Sequence, residues 1–270
     1  MRAFCVATLI ATPSMLLSTP DTDTAQMVIL VAIFAALFTF VEYSASAPSI
    51  IEFRDAPPFN RLRFLTLTLM VIGVSFAIGS AGGQGGIAGL LHLIAAKTGG
   101  AMDFPFSPVR LLVLMLPPGA SDGTVTDLRT AAGLSYLISL VAVALFIFLL
   151  WLQRWPRRTG SFNVWVNLPT FDPTAGGDVV ARLNRDSQFN LILGFLLPFV
   201  IPAVGKAISL FVTPLQIENP QSVVWMVIAW AFLPASLLMR GVALNRIAYM
   251  IQRQRKRAYE QAVADGMLPV

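Results

Sequence analysis

Pro198, Pro202 and Lys206 recur at four-residue spacing inside an apolar stretch, the arrangement in this sequence with most capacity for chemistry. On a helix that spacing sets them on one face. Each proline withholds a backbone donor, so the helix should kink and leave carbonyl oxygens partly free. A discontinuous helix carrying a charge is raw material for a solute-transport site. Depth argues for another role. Lys206 is the eighteenth residue counted from Phe189, about 26 Å along the helix. That places it at the far membrane interface, where a lysine extends its ammonium into the headgroups as an anchor.

Other candidates are weaker. Asp172, Asp178 and Asp186 share one polar segment and suggest Mg²⁺ with a phosphate-bearing lipid substrate, the reading of a membrane enzyme. Their spacing matches no motif, and helix capping or solvation accounts for them. The run 82–86, Gly-Gly-Gln-Gly-Gly, lacks the Lys-Ser/Thr of a phosphate loop and reads as a linker. Cys5 and His92 are single residues of their kinds, which removes an intrachain disulfide and a His/Cys-rich metal site. Neither H-E-x-x-H nor G-x-S-x-G occurs. No catalytic residue, metal or cofactor is expected.

The elements that must carry these residues follow from composition. Of 270 residues, 12% are charged and 56% hydrophobic, with a mean hydropathy of +0.72. Soluble domains carry roughly 25% charged residues, so the expected fold is all-α, a polytopic helical bundle in a membrane. A bilayer core of about 30 Å needs roughly 20 mainly apolar helical residues. Runs 25–43, 64–81, 131–152 and 222–239 meet that demand. Run 189–213 does so with its two prolines and Lys206 inside it. Run 3–17 is shorter, carries Pro13, and reads as an uncleaved first helix, with a signal peptide as the alternative. Six spans in a single membrane domain, 1–270, are the expectation.

Charge sets the expected orientation. With the N-terminus inside, segments 1–2, 44–63, 153–188 and 240–270 hold 15 of the 19 basic residues, and 18–24, 82–130 and 214–221 hold three. That asymmetry places both termini in the cytoplasm. Arginine dominates the basic set, a bias that fits GC-rich coding and hence a bacterial inner membrane.

Three polar regions remain. The outside loop 82–130 contains two short apolar stretches, 87–96 and 109–116, expected as interfacial helices or a re-entrant pair. In the inside loop 153–188, residues 162–167 alternate as an extended strand would, and Asp178 is placed to cap the next helix. Its aromatics, Phe162, Trp165 and Phe171, form a candidate docking face for another membrane protein, with Arg54 and Arg158 as rim charges. The plainer alternative is a loop folded on the membrane surface. In the tail 240–270, Arg253, Arg255, Lys256 and Arg257 suit anionic lipid headgroups or simply fix topology. The cluster is too brief and too close to its span for nucleic acid. By elimination, the expected function is a non-enzymatic subunit or assembly factor that engages membrane proteins through its cytoplasmic loops.

Overall fold

The computed structural model describes residues 1–17, 22–79, 86–153, 155, 163–172, 174, 176–209 and 219–265. Among these every regular element is a helix: α1 (Arg2–Leu16), α2 (Thr22–Ser44), α3 (Phe59–Gly79), α4 (Gly86–Met102), α5 (Pro108–Leu114), α6 (Asp122–Leu152), α7 (Val164–Asn167), α8 (Val179–Ser209) and α9 (Pro220–Ala264). Five of them, α2, α3, α6, α8 and α9, are long and apolar enough to cross a membrane. The chain is a helical membrane bundle.

The helices outrun the apolar runs that announce them. Ser121 caps α6 by accepting a hydrogen bond from the Thr124 amide, so that helix starts before its apolar run. Asp178 accepts from the Ala181 amide at 3.3 Å at the start of α8, as its position in the sequence implies. At 45 residues α9 is about 67 Å long.

Fifteen residues make α1 too short for a full span, yet it packs along α2 and α3. The Arg2 guanidinium lies 4.2 Å from the centre of the Tyr43 ring at the end of α2. At the other end, a Cβ placed on Gly79 would meet the Leu16 carbonyl oxygen at 3.3 Å. Thus α1 runs antiparallel to α2 and parallel to the second half of α3.

Glycine sets the closest crossings. A Cβ on Gly133 of α6 would lie 2.5 Å from Gly99 Cα of α4. Gly194 of α8 faces the Pro234 carbonyl, and Gly241 of α9 faces the Ser187 carbonyl, which fixes α8 and α9 as an antiparallel pair. Without a strong hydrophobic drive between helices in lipid, such close backbone approach supplies dispersion contact instead. Accordingly, α4 is more than an interfacial element: Ala95 is fully buried, and the Gly99 crossing seats the helix on α6. The second stretch expected in loop 82–130 forms α5.

Two apolar cores result. One, around Met70, Val74, Leu128, Val224 and Ile228, lies within the bundle. The other gathers Phe53, Phe59, Phe146, Trp155, Leu168, Phe171, Leu183, Met239 and Ile247 at one end. That end carries Arg2, segment 45–58, α7 and the continuation of α9 beyond Arg240, and is termed the basic face.

Candidate functional site: the basic face

The segment between α2 and α3 folds around Glu42, a buried carboxylate two residues before the end of α2. Its oxygens accept hydrogen bonds from the amides of Ser49, Ile50 and Ile51 at 3.0–3.2 Å and from Ser49 Oγ at 2.8 Å. Arg54 Nη1 donates to the Glu42 and Ala45 carbonyls at 3.1 and 2.5 Å, satisfying acceptors that a helix C-terminus leaves open. Between these anchors Phe53 takes a left-handed backbone, φ 54°. A non-glycine residue there costs on the order of 1–3 kcal/mol; burial of the ring against Phe59, 4.3 Å between centroids, offsets it.

Two neighbours lock this segment from outside. Arg240 of α9 grips Glu52 through Nε at 2.6 Å and Nη2 at 2.8 Å, and Thr170 Oγ1 adds a 2.7 Å bond to the same carboxylate. Asn167, the last residue of α7, accepts the Phe53 amide on its carbonyl at 2.7 Å and the Asp55 amide on Oδ1 at 3.1 Å. Arg63 stacks its guanidinium 5.1 Å from the Phe59 ring centre.

Residues 164–167 are helical, not extended. Asn163 Oδ1 accepts the Trp165 and Val166 amides at 3.0 and 3.4 Å, and this cap outweighs the alternating pattern because the turn is too short for alternation to select a strand. The candidate docking residues consequently separate. Trp165 stands 61% exposed. Phe171 is buried with the Arg182 guanidinium 4.7 Å from its ring centre, and Arg54 points into the segment it caps. Phe162 and Arg158 lie outside the described residues, as does the glycine run before Gly86. In the tail, Arg255 reaches back to Asp178 at 2.6 Å, while Arg253, Lys256 and Arg257 are exposed. That bond holds the Asp178 carboxyl below the usual aspartate range.

The α8 residues are also placed. Trp230 Nε1 donates to the Pro198 carbonyl at 3.0 Å, and Lys206 Nζ donates to the Leu116 carbonyl, just after α5, at 3.2 Å. Asp172 accepts from Thr174, and Asp186 lies 4.0 Å from Arg185. His92 Nδ1 sits 2.9 Å from the Ala77 carbonyl oxygen. Among the described residues no three His, Cys, Asp or Glu side chains are grouped to hold a metal.

Sequence inspection missed Glu42, Glu52 and Asn167, the residues that organise this face. The available signal was a carboxylate within a few residues of a helix end, followed by a loop rich in apolar residues that needs an internal acceptor.

Compared with family models, curated proteins and solved structures, the chain matches none.

Proposed function

We propose that this chain is a non-enzymatic, multi-pass subunit or assembly factor that binds another membrane protein through its basic face. The observation that supports this most is Trp165. A large aromatic side chain stands in the open on a helical turn whose backbone is fastened at both ends, by Asn163 and by the bonds of Asn167 to segment 45–58. Rigid, exposed tryptophan is the residue type that dominates binding energy at interfaces. With Arg61, Arg182 and the α9 tail on the same face, the partner is a protein presenting an apolar pocket with acidic surroundings. The arginine distribution supports a cytoplasmic position for this face and a bacterial inner membrane as its location.

The transport reading draws less support, since the carbonyl freed by Pro202 already takes the Trp230 donor and Lys206 already serves Leu116. The lipid-enzyme reading loses Asp178 to Arg255 and Asp172 to Thr174.

The test is recovery of a stoichiometric partner from mild-detergent extracts at matched abundance. Trp165→Ala should weaken association by about 2 kcal/mol or more, as a hot-spot aromatic does, with unchanged thermal unfolding. Wild-type recovery in Trp165→Ala would refute the assignment. Orientation is checked separately in a Cys5→Ser background: cysteine at Asp122 should react with an impermeant reagent in intact cells, and cysteine at Asp172 or Asp265 only after the membrane is opened.

A further inference from the structure

A cleft of about 620 Å³ opens on the basic face between the start of α1, the end of α2 and the start of α3. Its wall is layered in the same sense on all three helices. Arg2 stands at the mouth with Cys5 and Val6 a turn deeper on α1. Tyr43 stands above Thr39 on α2, and Asn60 with Arg61 above Phe64 on α3. One helical turn is about 5.4 Å, so the cleft passes from cationic to apolar within the depth of a headgroup.

The mouth carries three guanidinium groups, Arg2, Arg54 and Arg61, against one carboxylate, Asp55. Arg54 is held by the Glu42 and Ala45 carbonyls, with Nη2 3.4 Å from Asp55. Arg61 is exposed and makes no ion pair among the described residues, so its donors are open to a ligand. A free inorganic anion would use this mouth and leave the apolar floor of Cys5, Val6 and Phe64 wet. An amphiphile with a phosphate head satisfies both layers, and planar guanidinium groups match phosphate oxygens in pairs.

We propose that this cleft seats one anionic phospholipid, its phosphodiester between Arg2 and Arg61 and its glycerol and first methylenes against Cys5, Val6 and Phe64. The site is separate from the α9 tail, where Arg253 and Arg257 are exposed, and it stands independently of the docking role of Trp165.

The sole cysteine in the sequence lines this cleft and reports on it without any mutation. The rate of Cys5 alkylation by N-ethylmaleimide is measured on the full chain in neutral detergent, with phosphatidylglycerol, phosphatidylcholine or glycerol phosphate added. Phosphatidylglycerol should protect Cys5, and phosphatidylcholine should not. Arg61→Gln should raise the lipid concentration for half-protection roughly fivefold, as expected for one cationic contact at a membrane surface. Arg61→Lys should lie between it and wild type, and Arg253→Gln with Arg255→Gln should leave the midpoint unchanged. Equal protection by phosphatidylcholine, or none by either lipid, overturns the proposal. So does an unshifted midpoint in both Arg61→Gln and Arg2→Gln. Glycerol phosphate protecting at the same midpoint as the lipid would assign the cleft to a soluble phosphate ester, and the lipid proposal would fall.

Discussion

The Trp230 indole donates its hydrogen bond to the Pro198 carbonyl oxygen, the acceptor that the residue at 202 would serve if it were not proline. In an α-helix the amide of residue i bonds the carbonyl of residue i−4, so the tryptophan repairs from α9 the vacancy that Pro202 makes in α8. The proline segment of α8 is thereby tied to its neighbour, and the polar atom that Pro202 frees is occupied.

This gives a paired prediction. Trp230→Phe leaves the carbonyl buried and unbonded, at a cost of about 1–3 kcal/mol. Pro202→Ala restores a backbone donor, so the double variant should recover much of that loss. Thermal unfolding of the four proteins in one detergent reads the coupling; an additive cycle would contradict it.

Gly133 and Gly100 should respond in opposite directions to the same added methyl group. Gly133→Ala drives a Cβ into the α4 backbone at Gly99 and should destabilise by roughly 1–3 kcal/mol. Gly100, with nothing within 4 Å of its notional Cβ, sits in α4 where alanine is preferred, and Gly100→Ala should stabilise by about 0.5–1 kcal/mol. Detergent melting curves check both.

Glu52 and Asp55 are three residues apart and differ in consequence. The Glu52 side chain is 11% exposed and is gripped by two Arg240 nitrogens, so Glu52→Gln should cost about 3 kcal/mol, the lower end for breaking a buried pair. Asp55 is 57% exposed and 3.4 Å from Arg54, so Asp55→Asn should cost under about 1 kcal/mol. Similar losses in the two variants would remove Arg240 as the clamp.

Acid should release the α9 tail. Asp178 titrates below the ordinary aspartate range because Arg255 hydrogen-bonds its carboxylate. A depressed folded value means that the pairing stabilises fully above the unfolded aspartate pKa of about 3.9, and is lost as pH falls through the lower folded value. The distance between spin labels at Arg182 and Tyr259 should stay fixed at neutral pH and broaden only in that acid window. Asp178→Asn should show the broadened distribution at pH 7, and added salt should act in the same direction.

The bundle was legible because twenty-residue apolar runs have few other uses. Asp178 as a cap was legible from its local position. Residues 164–167 are helical where alternation pointed to a strand, because so short an alternating pattern carries less information than one asparagine placed to accept two amides. Phe171 reads as an anchor and Arg54 as a rim charge, yet both turn inward. Phe171 joins the end core under the Arg182 guanidinium and Arg54 bonds the Glu42 and Ala45 carbonyls, contacts set by the folding of the loops and not by their composition. The cleft was hidden for a related reason: Arg2, Tyr43 and Arg61 meet only when α1 folds back along α2.

The Glu52–Arg240 clamp joins positions 188 apart in the chain, with consequences for biogenesis. When segment 45–58 leaves the ribosome, its internal partners Glu42 and Arg54 are already made, but Arg240 belongs to α9, which follows much later in the chain. Until α9 inserts, Glu52 lacks the guanidinium that grips it, and Met239 and Ile247 are missing from the end core. A nascent chain that stops short of α9 therefore displays an incomplete basic face, and α9 is the clasp that closes it.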